Sequence, residues 1–410
     1  MRNRYLYITL LSILAWHAEA QGQQRTQQVP KLVVNITVDQ LSSNYLDLFS
    51  PTLGEKGFLK LLAEGIVLEN ATYGMTDIDA CSAISSVVTG TTPFQHTITG
   101  EKWIDRNTLR PVLPTPSDLS ASTIGDELKR ATQGAGKVYA VATSKTTAQL
   151  AGGHYPDGTL WNENVRKAWT AADITEKALH LIAEKGLGQD SIPDILFLTY
   201  DASAQNRQAY TQIDEELARL IAQTEQQIGK ENTLFLLTST GYTVDKTSDL
   251  ERYHIPTGTF YINRAANLLN MYFGGLWGQE KYVEACLKNQ LYINRQLIEN
   301  KRVKMQDALQ LAKEFLLQMA GVRQVSEHLF ESHCGDLMIH LAPGWHIENE
   351  DTHEQLPIST PLAYFPIMVY GLDFQPARVL TPVNIDRIAP SIAKAIRIRA
   401  PNACSAAPLF

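Results

Sequence analysis

Runs of consecutive apolar residues alternate along this chain with segments in which apolar residues recur at helical spacing. The first run, at residues 31–39, is almost unbroken and rich in β-branched residues, which is typical of a strand buried on both faces. Further strands are predicted at residues 66–73, 137–143, 195–200, 233–238, 259–263, 337–341 and 367–370. Helices are predicted at residues 53–65, 82–88, 124–131, 172–184, 206–228 and 385–396. This alternation predicts an α/β fold with a large, mostly parallel central sheet and helices on both faces.

The length and composition favour one large unit. Of the 410 residues 44% are hydrophobic, and the apolar runs are spread evenly from residue 31 to the C-terminus. We therefore expect a single α/β domain over residues 31–410. Residues 264–319 are predicted to be a helical region that flanks it, because they carry no strong core pattern of their own.

The first twenty residues have the pattern of a secretory signal peptide. Arg2 and Arg4 precede an apolar run at residues 5–16, and Ala18 and Ala20 form a small-residue cleavage pattern. Residues 21–30 are polar and predicted to be a linker. The apolar run is too short for a membrane anchor, and no later segment reaches spanning length. We therefore expect a periplasmic or secreted protein that does not span the membrane.

The net charge bears on nucleic-acid binding, and the cysteines bear on zinc sites and disulfides. A net charge of −7 gives no basic stripe for a phosphate backbone, so a nucleic-acid partner is not expected. The cysteines, none spaced like a zinc site, are Cys81, Cys286, Cys334 and Cys404. In an oxidising compartment one or two disulfides are expected, and the sequence does not choose among the three full pairings.

Six segments carry, in order, a resemblance to a known superfamily. They are VVNITVDQ (33–40), TGTTPFQH (89–96), LFLTYDASAQ (196–205), LFLLTSTG (234–241), DTHEQLP (351–357) and FPIMVYG (365–371). The chain resembles the alkaline phosphatase superfamily, and within it the secreted Bacteroidetes-type phosphatases and the nucleotide pyrophosphatase/phosphodiesterases. The resemblance implies an active site at the carboxyl edge of the sheet, where two zinc ions activate a Thr or Ser nucleophile for phosphoryl transfer.

Only some of the metal ligands implied by the resemblance are present. Asp39 matches the first metal carboxylate, Asp201 matches the acid of an Asp-x-x-x-His motif, and His353 matches the late histidine. The histidine of that motif is replaced by Gln205, and an Asp-His pair is replaced around Thr240. Asp39, Asp201 and His353 are therefore residual metal positions, and zinc is expected only if the protein is active; otherwise no cofactor is expected. Asp201 and Asp39 also have a structural interpretation, as caps of the helix or turn that follows each strand.

The nucleophile implied by the resemblance falls on Ala80, which cannot attack phosphorus. The neighbours Cys81 and Ser82 are weak alternative nucleophiles, and a buried structural cysteine is the better interpretation of Cys81. The positions at which the resemblance places the rest of the pocket are Asp79, Glu101, Ser144, Thr146, Gln205 and Thr240. A carboxylate at position 101 would repel a phosphoryl group, and the Arg and Lys of the usual clamp are absent from positions 144–146.

Two further groups of residues invite a metal-site interpretation that their spacing does not favour. Asp77 and Asp79 precede a predicted helix, where acids are common because they favour the helix N-terminus. His340 and His346 stand near several acids, but at no tight ligand spacing, so a solvated acidic loop is the better interpretation.

The leading hypothesis is a catalytically degenerate, secreted superfamily member that binds a ligand or a protein partner in the cell envelope. The alternative is a metal-dependent phosphomonoester or phosphodiester hydrolase with a rearranged site, in which Asp201, His353 and Gln205 or a nearby acid hold one metal. A third hypothesis is a purely structural envelope component.

Overall fold

The computed structural model describes residues 28–75, 77–164, 168–244, 252–328, 333–356 and 359–410. The predicted signal peptide and most of the predicted linker lie outside the described residues.

The helices and strands fall close to the predicted segments. The strands are β1 (Leu32–Asp39), β2 (Ile66–Thr72), β3 (Trp103–Asp105), β4 (Arg110–Val112), β5 (Val138–Ala142), β6 (Gly158–Trp161), β7 (Asp194–Asp201), β8 (Thr233–Ser239), β9 (Tyr242–Val244), β10 (Gly258–Tyr261), β11 (Val283–Leu287), β12 (Gln290–Ile293), β13 (Val322–Glu327), β14 (Leu337–Leu341), β15 (Trp345–Asn349), β16 (Glu354–Leu356), β17 (Ser359–Pro361), β18 (Phe365–Gly371), β19 (Ala377–Val379) and β20 (Val383–Asn384). The helices are α1 (Ser43–Phe49), α2 (Phe58–Glu64), α3 (Ala80–Thr89), α4 (Pro93–His96), α5 (Ile124–Ala131), α6 (Lys145–Gly152), α7 (Ala171–Glu184), α8 (Arg207–Ile228), α9 (Ile262–Trp277), α10 (Arg295–Asn300), α11 (Met305–Leu316) and α12 (Ile388–Ala395).

The central sheet has the strand order β19-β2-β18-β8-β1-β7-β5-β6, with β20 beside β2. Only β18 runs antiparallel to its neighbours among the described strands of this sheet. The predicted α/β architecture with a mostly parallel sheet is therefore confirmed. Because β1, β7 and β8 are adjacent and parallel, their carboxyl ends meet at one edge of the sheet.

Strand β1 is buried on both faces, as its β-branched run predicts. Val34 and Ile36 pack into one hydrophobic cluster with Leu217 of α8, whereas Val33 packs into a second cluster with Val87 of α3. Burying a side chain of this size contributes roughly 1.5–3 kcal/mol, so this one strand fixes both layers of helices against the sheet.

A second, smaller unit lies over the carboxyl edge of the sheet, and we call residues 258–356 the small lobe. Its antiparallel sheet has the order β11-β12-β14-β13, a further sheet joins β10, β15 and β16, and helices α9 to α11 share a hydrophobic cluster with these strands. The segment predicted as helical, residues 264–319, therefore also contains the hairpin of β11 and β12. Its strands have only five and four residues, which is too short for the alternation of apolar and polar residues to predict them.

The small lobe is joined to the central sheet by buried contacts around the β3–β4 hairpin. Arg106 donates to the carboxylate of Asp336 at 2.9 Å, and only 2% of that carboxylate side chain is exposed. Beside it, Trp103 stacks on His333 with ring centroids 4.6 Å apart.

None of the helices in the described part of the chain combines the length and apolar content needed to cross a bilayer.

Candidate functional site

A cavity of about 940 Å³ separates the carboxyl edge of the central sheet from the small lobe. Asp39, Asp79 and Glu101 line it from the sheet side, and Lys288 and His340 line it from the small lobe. Strand ends of a parallel sheet are where α/β proteins bind ligands, so this cavity is the candidate site.

Two of the acids singled out in the sequence stand side by side at the sheet edge. Asp39 ends β1 and Asp201 ends β7, and the two residues are partners in the register of these strands. Asp201 is exposed and accepts the backbone N–H of Ser203 at 2.8 Å. It does not cap α8, because Asn206 takes that position and accepts the N–H of Ala209. The capping interpretation of Asp201 is therefore wrong.

Asp39 sits in a low-polarity environment with two hydroxyl donors. The hydroxyl of Thr240 donates to its carboxylate at 2.8 Å, and that of Tyr242 is a second hydrogen-bond partner. Burial raises the pKa of the Asp39 carboxyl to about 7 despite these hydrogen bonds, and the nearby charges of Asp201 and Glu101 raise it further. Asp39 is thus the acid of this edge that titrates near neutral pH.

A tight turn after β8 brings Tyr242 back toward Asp39. Gly241 has a φ of 73°, and a Cβ at this position would lie 2.4 Å from the ring of Tyr73. Both the left-handed backbone and the missing space require glycine here. The residues that replace the Asp-His pair therefore make a turn that supports Asp39.

Gln205 and Thr240 are held by their neighbours. Gln205 is buried, and its side-chain amide donates to the side chain of Gln40 at 3.3 Å and to the hydroxyl of Thr243. The hydroxyl of Thr240 accepts the backbone N–H of Gln40 at 2.8 Å. Neither side chain lines the cavity. Both positions therefore belong to a hydrogen-bond network behind the cavity wall.

His353 lies in the exposed turn between β15 and β16 and does not line the cavity. Its electrostatic neighbour is Glu350, whose pKa is lowered mainly by Arg264 and further by His353. Among the described residues no group of three or more His, Cys, Asp or Glu side chains is placed to hold a metal ion. The structure thus brings Asp39 and Asp201 together and leaves His353 apart from them.

The N-terminus of α3 carries the position of the missing nucleophile. Ala80 begins the helix and is buried, and Cys81 beside it is only 2% exposed. Burial, together with the charges of Asp79 and Glu101, raises the pKa of the Cys81 thiol well above its usual range. Ser82 is fully buried and forms a capping box with Asp79. Neither neighbour has the environment of an activated nucleophile.

Asp79, Lys288 and Glu101 form an ion-pair cluster over this helix terminus. One oxygen of Asp79 accepts the N–H of Ser82, and the other accepts the N–H of Glu101 at 2.6 Å. The ammonium of Lys288, from the turn between β11 and β12, lies 3.8 Å from Asp79 and 3.2 Å from Glu101. Burial alone would lower the pKa of Lys288, but the two carboxylates outweigh it and raise that pKa. The helix terminus is therefore closed by a protein carboxylate and a lysine from the small lobe.

The comparisons with known proteins agree with this architecture. A sequence profile of the type I phosphodiesterase / nucleotide pyrophosphatase family matches residues 33–362. The chain belongs to this family. Alkaline phosphatase PafA of Elizabethkingia meningoseptica is 20% identical over 525 residues, covering 95% of this chain and 96% of the relative.

Solved structures of the superfamily have the same fold. The crystal structure of wild-type PafA matches with a TM-score of 0.80 at 17% identity, over 93% of this chain and 98% of that chain. Murine ectonucleotide pyrophosphatase / phosphodiesterase 5, in a threonine-to-alanine variant described as inactive and in complex with AMP, has a TM-score of 0.62 at 14% identity, over 90% and 95% of the two chains. The predicted alkaline-phosphatase-like fold and the predicted superfamily are confirmed.

The residues at the sheet edge do not fit the zinc pair that the family resemblance implies. Thr240 donates its hydroxyl hydrogen to the carboxylate of Asp39, and the NH₂ group of Gln205 donates to two side-chain oxygens. A zinc site needs three or four donors around one point, and the described residues supply no such group. The hydrogen bonds in place are those of a folded polar network.

Two further sequence-based expectations concern Ser144 with Thr146 and the cysteines. Ser144 caps α6, and neither it nor Thr146 of that helix lines the cavity, so their assignment to the pocket stays a prediction. Cys81, Cys286 and Cys404 carry free thiols, so none of the three full disulfide pairings forms. Burial in the core rather than cross-linking explains Cys81, and the oxidising-compartment argument does not extend to these thiols.

Lys288 and Tyr242 are site residues that sequence reasoning missed, and His340 is one that it assigned to a solvated acidic loop. Lys288 lies in a hairpin turn with a φ of 53°, inside a stretch predicted as helix. Tyr242 follows a glycine turn in which the family motif is absent. His340 belongs to strand β14 rather than to a solvated loop and faces Asp77.

Proposed function

We propose that this protein is a catalytically degenerate member of the type I phosphodiesterase / nucleotide pyrophosphatase family that binds a ligand or protein partner in the cell envelope without transferring phosphoryl groups. The observation that carries the proposal is the closure of the α3 N-terminus, where Ala80 replaces the nucleophile implied by the resemblance and Asp79, Lys288 and Glu101 cover it.

The charge at this terminus argues against a phosphoryl group. A helix N-terminus attracts anions because its first N–H groups point outward. Here the N–H of Ser82 already donates to the carboxylate of Asp79, and Glu101 adds a second negative charge. A phosphoryl group would have to compete with these two carboxylates for the N–H of Ser82 and for the ammonium of Lys288, so the site disfavours the substrate class of active relatives.

Loss of catalysis is compatible with ligand binding on this fold. The murine phosphodiesterase 5 structure carries alanine in place of threonine, is described as inactive and holds AMP. The family resemblance places Ala80 at the threonine position in this chain. The cavity of about 940 Å³ is large enough for a small organic ligand, which supports a binding role for the same space.

Hydrolysis of p-nitrophenyl phosphate and bis(p-nitrophenyl) phosphate, each with added zinc, tests the proposal. We expect rates equal to the protein-free blank, for the wild-type protein and for Asp201→Ala alike. PafA is the positive control. Turnover that disappears in Asp201→Ala would instead establish the rearranged hydrolase.

A further inference from the structure

Three polar side chains, those of Ser326, His340 and Asp77, follow one another beside the cavity. The hydroxyl oxygen of Ser326 is 2.8 Å from Nε2 of His340, and Nδ1 of the same ring is 3.4 Å from a carboxylate oxygen of Asp77. His340 and Asp77 line the cavity, and each of the two side chains is about one-fifth exposed, at 18% and 23%. Ser326 is half-buried and does not itself line the cavity, but it lies two positions along β13 from Gln324, which does.

The fold places these residues together from three distant parts of the sequence. Strands β13 and β14 are antiparallel, with Gln324 opposite His340 and Ser326 opposite Met338. Ser326 and His340 are therefore diagonal neighbours on one face of the small-lobe sheet, within reach of each other's side chains. Asp77 comes from the segment before α3 in the main domain, so the set is complete only when the two lobes are in contact.

The order of contacts defines the roles of the three groups. If Nδ1 carries the proton and faces Asp77, then Nε2 is free to accept the hydrogen of the Ser326 hydroxyl. Such contacts are often longer in ligand-free proteins than in a substrate complex, and 3.4 Å falls in that range. His328 also approaches Ser326, at 3.4 Å, and burial lowers its pKa, which keeps this second imidazole neutral beside the pair.

We propose that Ser326 is a nucleophile, His340 its general base and Asp77 a positioning residue, and that they act on a carboxylic ester or similarly activated acyl group bound in the cavity. This activity would be independent of phosphoryl transfer and goes beyond the proposed function. The chemistry is that of the serine–histidine–carboxylate arrangement, which is recognised by geometry and not by chain order.

Each step of the proposed reaction balances. The oxygen of Ser326 bonds to the acyl carbon while its proton moves to Nε2 of His340; the ester C–O bond then breaks, and His340 returns the proton to the departing alkoxide. Water adds to the acyl-serine, His340 takes its proton and delivers it to Ser326, and the carboxylic acid leaves. Lys102 and Arg323 line the same cavity, and the proposal assigns stabilisation of the oxyanion to their positive charge.

A fluorophosphonate probe tests the proposal directly, because it labels activated serines irrespective of the acyl substrate. We expect peptide mass spectrometry of the full chain to locate the label on Ser326, and we expect His340→Gln to slow labelling by about 100-fold or more. The matched control is His180→Gln, which removes a histidine that pairs with Glu184 far from the cavity. It should label at the wild-type rate.

The role of Asp77 has its own readout. Asp77→Asn should slow labelling, whereas Asp77→Glu, which keeps a carboxylate, should restore most of the rate, a rescue that a merely structural role would not give. Absence of label on Ser326 in the folded wild-type protein would overturn the proposal, as would equal labelling of wild type and His340→Gln. Neither result depends on the phosphoester assays, so the two proposals fail separately.

Discussion

The two halves of the candidate site have diverged in different ways. At the ends of β1 and β7, Asp39 and Asp201 keep the positions that the family resemblance assigns to metal ligands. At the N-terminus of α3, ten residues of helix remain but the reactive position holds Ala80, and a lysine from the small lobe closes it. The strand ends therefore keep the acidic side chains that the resemblance implies, whereas α3 keeps the helix without the nucleophile.

The physical difference lies in what each acid does for the fold. Asp39 accepts hydrogen bonds from Thr240 and Tyr242, so it stabilises a turn whether or not a metal binds. A nucleophile at the start of α3 would have no comparable structural role, because Asp79 already caps the helix. The proposed loss of catalysis would therefore leave in place those residues that also have a structural function.

The largest expected effect concerns the buried acid. Because the pKa of Asp39 is about 7 in the folded protein and near 3.8 when unfolded, the native state binds the extra proton between these values. Stability should therefore fall as pH rises from about 4 to 8, by up to about 4 kcal/mol. Asp39→Asn should remove this dependence and be more stable than wild type at pH 8 with chelator present.

Urea unfolding at pH 5 and pH 8 measures this difference in the free energy of unfolding. The matched control is Asp201→Asn at the neighbouring strand end, which should keep most of the pH dependence because burial, not the charge of Asp201, is the main cause of the raised pKa of Asp39. A wild-type protein that gains stability from pH 5 to pH 8 would contradict the described environment of Asp39.

The next effect is at the helix terminus. Lys288→Met leaves the carboxylates of Asp79 and Glu101 without their cation, which should destabilise the protein by about 1–3 kcal/mol, less than for a fully buried pair since the lysine side chain is 27% exposed. The control is Lys185→Met, whose ion pair with Glu184 is exposed to solvent and should contribute little to stability. Equal midpoints for both variants in guanidinium chloride would show that the cluster does not hold the lobes.

A smaller effect is expected for the support of Asp39. Thr240→Val removes the donor to Asp39 and the acceptor for the Gln40 N–H, at a cost of about 1–2 kcal/mol. The loss should be greater at pH 8 than at pH 5, because the lost hydrogen bond is stronger to the ionised carboxylate. Thermal unfolding at both pH values measures it, and a pH-independent loss would mean that Thr240 only fills space.

The smallest expected effect is that of restoring a hydroxyl group at position 80 on phosphoester hydrolysis. Ala80→Thr restores a hydroxyl at the position implied by the resemblance, but Gln205 and the Thr240 turn still replace metal ligands. We expect no hydrolysis of p-nitrophenyl phosphate above the blank, with or without zinc. Robust turnover from this single change would show that the strand-end half of the site is intact.

The sequence anticipates the half of the site that is built on strands. A β-branched run ending in an acid predicts both β1 and the edge position of Asp39, because parallel register leaves few alternatives. The partners of Asp39 are harder to foresee: Thr240 and Tyr242 act through a glycine turn that only the packing against Tyr73 explains.

Contacts across the lobes were not predictable from local patterns. Lys288 is more than 180 residues from Glu101 along the chain, and its short hairpin lies within a stretch with helical composition. The assignment of His353 as a metal ligand stays a prediction: the residue resembles the late histidine of the family, and the turn that carries it does not line the cavity. Motif identity fixes a residue type, whereas its place depends on packing between the lobes.

Zinc binding distinguishes most directly between a degenerate site and an active metal-dependent hydrolase. The mature protein would be titrated with zinc chloride in a calorimeter, and the metal content of the dialysed product determined by mass spectrometry alongside Asp39→Asn and Asp201→Ala. The degenerate site predicts metal well below one ion per chain and no difference among the three proteins. Near-stoichiometric zinc in the wild type, lost in both variants, would contradict it and restore the hydrolase as the better account of this chain.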